Sequence, residues 1–285
     1  MNTDSAYGWN GEQVDLDSYF ARIGFDGPRT PALETLRALQ WAHVATIPFE
    51  NVDIQLGRTV QLDLDSVHDK LVTRSRGGYC LEQTVLFAAV LERLGFKVTG
   101  LSGRARMDAG LRPATHALLK VELPDAPITG QSYLCDIGFG DMGPLEPIEI
   151  TDGNEVLQGG WHYRLARQTG VTGNEEWVLY TLREDGWYDL FSFTLDPRYA
   201  VDYDMVNYHR STHPGSRFVR HLLVQQPQPD ARYDLTGTTL TVTRPDGAHE
   251  TRQLEPTEVP KVLDEVFGVR LPGDDATALV NKLAS

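Results

Sequence analysis

The order of patterns along the chain predicts an α+β protein. Helical periodicity fills the first third, alternation with period two fills the middle, and a short hairpin-and-helix tail closes it. Helices and strands are segregated, so an alternating α/β sheet is not expected. The turn signals Pro124-Asp125 and Glu184-Asp185-Gly186 separate neighbouring strands and make the sheet mainly antiparallel.

Taken in order, Asp17 caps a short helix over Ser18 to Ile23 that stops at Gly24. Thr30-Pro31 opens a second, in which Leu33, Leu36, Leu39 and Ala42 or His43 recur at helical spacing to about Ala45. A third runs from Ser66 to Arg74 behind Asp65. A fourth runs from Leu81 to Leu94, with Val85, Leu86, Ala89, Val90 and Leu94 on one broad face and Gly95 as its stop. Strands follow at Phe96 to Arg106, Thr115 to Leu123, Ser132 to Ile137, Trp161 to Leu165, Trp177 to Arg183 and Trp187 to Phe193. A hairpin joins Thr238–Arg244 to His249–Leu254 across Pro245-Asp246-Gly247, and helices near Val259 to Phe267 and Asp275 to Leu283 end the chain.

Bulk properties narrow the function. The net charge of −14 argues against a nucleic-acid or anionic-membrane surface, because binding phosphates in bulk draws on clustered Lys and Arg. A small phosphate-bearing co-substrate remains compatible. No stretch approaches the roughly 18 apolar residues of a transmembrane helix, and the polar leader before Tyr19 reads as ragged, without the pattern of a secretory signal. Two cysteines are too few for a disulfide framework or a cysteine-rich metal site, so no metal is expected and a reduced, cytoplasmic setting is the simpler reading.

In such a setting a cysteine accompanied by His and Asp is a candidate nucleophile. Cys80 lies in Arg74-Ser-Arg-Gly-Gly-Tyr-Cys-Leu-Glu-Gln83, where two glycines turn the chain and Cys80 falls in the first turn of a helix. Free N–H groups and the positive end of the helix dipole favour the thiolate there. The same position also suits a small buried cysteine that only packs. A base and an orienting group are needed beside it. His116 opens a strand in which Ala117, Leu119, Val121 and Leu123 share one face, so His116 points to the other with Leu118. If that strand pairs with Ser132–Ile137, a register facing Leu118 or His116 toward Asp136 puts imidazole and carboxylate on one face. Cys135 then faces the core. His213, in the turn-rich Ser211-Thr-His-Pro-Gly-Ser216, is the rival base.

Four ordered segments resemble the arylamine N-acetyltransferase family, in its bacterial form. These are Ile47-Pro48-Phe49-Glu50-Asn51-Val52, Arg76-Gly77-Gly78-Tyr79-Cys80-Leu81-Glu82, Asp136-Ile-Gly-Phe-Gly140 and Ser211-Thr-His-Pro-Gly-Ser-Arg-Phe218. The resemblance implies a Cys80–His116–Asp136 triad on a core akin to cysteine proteases and transglutaminases. It also implies a helical bundle carrying the cysteine (1–95), an antiparallel β-barrel carrying His and Asp (96–210) and an α/β lid (211–285). Cys80 would take an acetyl group from acetyl-CoA as a thioester, and an aromatic amine or hydrazine would then attack it in a ping-pong cycle. Phe49, Tyr79, Phe139 and Phe218 match pocket positions for a flat aryl acceptor, or else plain core packing. Thr115, Gly138 and Gly140 would line the pantetheine or oxyanion side, and Arg76 with Glu50 would form a buried pair near the nucleophile. No nucleic-acid or membrane partner is implied, and the chain would act as a monomer or homodimer.

The chain departs from the family at Thr84, where many members have Asn, and at Leu81, where an aromatic is common; its leader is also longer. Two other activities suit the same triad: an amide synthase closing a macrolactam from a carrier-protein thioester, and a papain- or transglutaminase-like thiol hydrolase. A non-catalytic binding protein is disfavoured, since all three triad residues are present.

Overall fold

The computed structural model describes residues 8–107, 111–124, 130–170 and 172–285. Asp125 of the predicted Pro124-Asp125 turn, and the first seven residues of the leader, lie outside them. The remainder of the leader is not ragged. Trp9 and Val14 are buried, and Glu92 accepts hydrogen bonds from the N–H groups of Trp9 (3.0 Å) and Gly11 (2.9 Å). Trp9 also stacks on Tyr203, with ring centroids 6.1 Å apart.

The helical part comprises α1 (Leu16–Ile23), α2 (Leu33–Thr46), a two-residue strand β1 (Phe49–Glu50), α3 (Val52–Gln55), α4 (Leu64–His68), a π-helical turn over Asp69–Thr73, and α5 (Cys80–Arg93). Several starts differ from the sequence reading. Asp15, not Asp17, caps α1, because its carboxylate reaches the N–H groups of Asp17 and Ser18. Asp63, not Asp65, caps α4 through Ser66 N–H at 2.9 Å. Pro31 precedes α2 without opening it, since Ala32 is extended. The expected one-sided face on α5 is absent: from Cys80 to Leu91 the helix is buried all round, as befits a central helix.

The sheet that follows has eight strands in the order β5-β4-β3-β2-β9-β8-β7-β6, every neighbouring pair for which a register is defined being antiparallel. These are β2 (Lys97–Ala105), β3 (His116–Glu122), β4 (Ser132–Cys135), β5 (Ile148–Glu149), β6 (Asn154–Gln158), β7 (Trp161–Thr169), β8 (Glu175–Arg183) and β9 (Gly186–Phe193). Its two edge strands are consecutive in the chain, so the turn between them draws the edges together into a nearly closed barrel.

Next come α6 (Ala200–Thr212) and α7 (Arg217–Arg220), neither expected from the sequence, and a second sheet in the order β1-β10-β11-β12-β13. Its strands are β10 (Leu223–Pro227), β11 (Arg232–Thr236), β12 (Thr239–Thr243) and β13 (His249–Gln253), backed by α8 (Val259–Phe267) and α9 (Gly273–Leu283). One apolar core, including Leu39, Phe87, Leu118 and Phe191, runs through the helices and the eight-stranded sheet alike. A second, including Val224, Leu235 and Leu263, lies under α8 and α9. No helix among the described residues is long and apolar enough to cross a membrane.

The Pro48-Phe49-Glu50-Asn51 segment clips these parts together. Phe49 and Glu50 pair with Gln225 and Val224 of β10. The Asn51 side chain donates to the carbonyls of Phe218 and His221 at 2.8 Å each and accepts from Leu223 N–H at 2.7 Å. Three backbone groups at the α7–β10 junction are thereby satisfied by one amide.

Candidate active site

Cys80 is the first residue of α5 and is buried. The Glu82 carboxylate, one turn in, accepts from Tyr79 N–H at 3.0 Å and holds the helix start. Gly138 packs directly on the cysteine: a Cβ there would lie 2.6 Å from Cys80 Cα, so only glycine permits the approach.

β3 and β4 set the other two residues. Leu119 pairs with Cys135 and Lys120 with Leu134, so continuing the register one step brings Asp136 opposite Leu118, diagonal to His116. His116 Nε2 lies 2.9 Å from Asp136 Oδ2, and Gly138 N–H donates to Asp136 Oδ1 at 3.2 Å. Cys80 acts on the same imidazole, adding to Asp136 in favouring its charged form. Thr115 presents its carbonyl 4.0 Å from the sulfur. The rival base, His213, is exposed at the end of α6, stacked on His209 and accepting from Gly215 N–H at 3.0 Å.

Burial opposes charge on His116, but the Asp136 carboxylate, and then Cys80, outweigh it and push its pKa from 6.5 up to about 10. A pKa raised on folding stabilises the native state most below its unfolded value, and that contribution is lost as pH rises through the folded value. The stability difference between wild type and His116→Gln, measured by urea unfolding, should therefore be constant below about pH 6 and shrink from about pH 7 to about pH 10. A difference that stays flat across that window contradicts a buried imidazolium.

A second charged group lies directly behind Cys80. Lys70 Nζ is 2.8 Å from Glu82 and 2.9 Å from Asp53, and Arg76 contacts Glu50 at 2.7 Å. All of these but Asp53 are almost wholly buried. Burial opposes the Lys70 ammonium, yet Glu82, Glu50 and Asp53 together raise its pKa. Asp53 and Lys70 carry no motif signal, and they meet Arg76 and Glu82 only through the tertiary fold, from separate elements.

The predicted pocket residues fall into two groups. Phe139 lies beside His116, with centroids 5.1 Å apart, and Phe191 of β9 stands 5.1 Å from both. Phe191 was missed, although strand alternation from Phe193 would have put both on one face. Phe49, Tyr79 and Phe218 form the other group, 5.6–5.7 Å apart around Phe218. Tyr79 is fully buried with its hydroxyl on Asn207, so it anchors the helix start. Gly140, at φ +102, packs against the Gln225 side chain. Thr84 donates to the Ala117 carbonyl at 3.2 Å, tying α5 to β3 with a hydroxyl. The loop after Asp136 is braced by Tyr163, which donates to the Gly143 carbonyl at 2.7 Å and accepts from Arg232 at 3.0 Å.

A family profile described as N-acetyltransferase matches residues 32–276. The chain is 39% identical over 263 residues to the arylamine N-acetyltransferase of Mycolicibacterium smegmatis, covering 90% of this chain and 93% of that relative. The crystal structure of the Nocardia farcinica arylamine N-acetyltransferase matches with a TM-score of 0.93 at 47% identity, over 99% of this chain and 100% of that one. The Mycobacterium marinum arylamine N-acetyltransferase in complex with CoA matches at 0.87 and 34% identity, over 94% and 98%.

Proposed function

The chain belongs to the arylamine N-acetyltransferase family, and on that premise we propose that it moves an acetyl group from acetyl-CoA to aromatic amines or hydrazines through a thioester on Cys80. The observation that carries this reading is a single imidazole, His116, that lies 2.9 Å from the buried Asp136 carboxylate and is favoured in its charged form by Cys80 as well.

The steps follow from that geometry. With the thiol proton on His116, the Cys80 sulfur attacks the carbonyl carbon of the acetyl thioester. The C–S bond to CoA breaks, and His116 gives its proton to the departing sulfur. The amine nitrogen then attacks the Cys80 thioester, and His116, now neutral, takes a proton from that nitrogen as the C–S bond to Cys80 breaks. The sulfur leaves as thiolate beside the regenerated imidazolium, so the enzyme ends the full cycle as it began. Asp136 stays ionised and orients the ring. The first exchange replaces one thioester by another and is nearly balanced, which keeps the acyl group activated for the amine.

Phe139 and Phe191, flanking the imidazole, suit a flat acceptor ring, with Phe218 and Phe49 further out. Thr115 and Gly138 border the sulfur where the thiol arm of the donor would end. Residues 1–95, 96–210 and 211–285 would then contribute the nucleophile, the base with its partner, and a lid. A free thiol nucleophile suits a reducing, cytoplasmic compartment.

Intact mass after mixing with acetyl-CoA tests the proposal. One acetyl adduct is expected in wild type and in His213→Ala, and none in Cys80→Ala or His116→Ala. An unmodified wild type would sink the acetyltransferase reading, and loss of the adduct in His213→Ala alone would mean His116 is not the base.

A further inference from the structure

α6 turns large apolar side chains outward. Val201, Met205 and Tyr208 are exposed by 68%, 79% and 74%, while Asn207 and Ser211 point inward and are buried. The three exposed residues follow one another at i, i+4 and i+7, so they form a single row along the helix, which Thr212 extends by a turn. This is the narrow seam of a helix that packs on another helix, not the broad stripe of one lying on a core. Scattered apolar side chains on a surface need no cause, but three large ones in one row do. The helix cannot roll to hide them. Its inward side is held by Asn207 on Tyr79 and on the Val60 carbonyl, and by Tyr203, which donates to the Leu101 carbonyl at 2.9 Å.

The polar residues beside the row show what would cover it. Asp202 in the first turn and His209 two turns later lie on the same flank, and both are exposed. Asp202 accepts from Tyr199 N–H at 2.9 Å with one carboxylate oxygen, and among the described residues its other oxygen has no hydrogen bond. A second α6 can cross the row antiparallel, about a two-fold axis at Met205. Met205 then meets its own copy, and Val201 meets Tyr208 of the other chain. Each Asp202 carboxylate faces a His209 imidazole, with which it can hydrogen-bond or pair as ions. A parallel pair would instead set Asp202 against Asp202 and His209 against His209. The flank is complementary to itself in the antiparallel sense, as an isologous interface requires.

We propose that α6 is a self-association surface, on which two copies of this chain pair antiparallel through Val201, Met205 and Tyr208. Its 13 residues make a face roughly 20 Å long. Such a face buries on the order of 1,000 Å² over both copies, the low end of specific interfaces. The dimer is accordingly weak, with a Kd on the order of micromolar, and its population follows concentration. It needs neither acyl donor nor acceptor, so the inference stands independently of the acetyltransferase reading.

Sedimentation equilibrium on the full chain, from about 1 to about 100 µM, tests the pairing, with circular dichroism to verify folding. The average mass of wild type should climb from one chain toward two across that range. Met205→Glu puts two carboxylates at the axis and should remain a single chain throughout. His209→Glu opposes Asp202 with a like charge and should weaken association about tenfold, whereas His209→Lys should strengthen it severalfold. A wild type that stays a single chain at every concentration would overturn the proposal. A dimer left intact by Met205→Glu would also overturn it, since another surface would then join the chains. Loosening by His209→Lys would do the same, because a parallel pair brings position 209 against itself.

Discussion

Asp136→Asn should slow acetylation of Cys80 on the order of 10³- to 10⁴-fold while the fold persists. The carboxylate is buried, with Oδ2 2.9 Å from His116 Nε2 and Oδ1 accepting from Gly138 N–H. An amide of the same shape can present an NH₂ group to Nε2, which forces the proton to the other ring nitrogen. The imidazole could then no longer take the Cys80 proton on the side where it is needed. The charge that offsets burial of the imidazolium also goes, so the neutral ring prevails. Rapid-quench intact mass would give the acylation rate, and circular dichroism the fold. A variant within tenfold of wild type at neutral pH would show that Asp136 plays no part in the chemistry. Partial recovery at alkaline pH is expected, as an unaided thiol ionises near its ordinary value of about 8.5.

Lys70→Met should have the largest effect on stability of any single change behind the nucleophile. Lys70 bridges Glu82 and Asp53 inside the protein, and burial already pushes the Glu82 carboxyl pKa upward. Removing the ammonium leaves carboxylates buried with too little positive charge, a loss of about 3–5 kcal/mol. For a chain of this size that amounts to a fall in Tm on the order of 10 °C. Because Glu82 also holds Tyr79 N–H, the start of α5 should loosen and the acetylation rate should drop with stability. Replacing both members, Lys70→Met with Glu82→Leu, removes the uncompensated charge and should recover a good part of the loss, which differential scanning calorimetry would measure. A single variant melting with wild type would mean that the ion pair is already open in solution.

Much of the site was legible because two periodicities fix it. Gly77-Gly78 before an apolar helical run places Cys80 at a helix start whatever the tertiary fold. The period of two in His116–Glu122 places imidazole and Asp136 on one face for every register of the right parity, so the exact pairing did not need to be known. What escaped reading depends on contacts between distant segments. α6 is largely inverted: Val201, Met205 and Tyr208 lie on its exposed side, while Asn207 and Ser211 are buried beside the one buried aromatic, Tyr203. No amphipathic count finds a helix whose inward face is held by polar groups, here through Asn207 on Tyr79 and on the Val60 carbonyl. β10 and β11 lack clean alternation because Gln226 and Arg232 are buried in them, the latter over the Trp161 ring at 3.6 Å. Caps misassigned by two residues, as at Asp15 and Asp63, reflect several acidic side chains in a row competing for the same N–H groups.

The Glu92 carboxylate that gathers the N–H groups of Trp9 and Gly11 belongs to the last turn of α5, the same helix that begins at Cys80. A Cβ at Gly11 would strike the backbone of that turn, so the seat is shaped for this stretch and no other. A tag is therefore better joined ahead of Gly8 than inside Trp9–Gly11, the stretch that Glu92 holds. Trimming through Gly11 is a different operation: it strips the partners from an acidic group at a helix end where negative charge is unwelcome. It also bares Gly100, whose open face Trp9 and Tyr203 cover together. For anyone shortening or tagging the protein, the usable boundary is thus set from inside, by a residue more than eighty positions downstream.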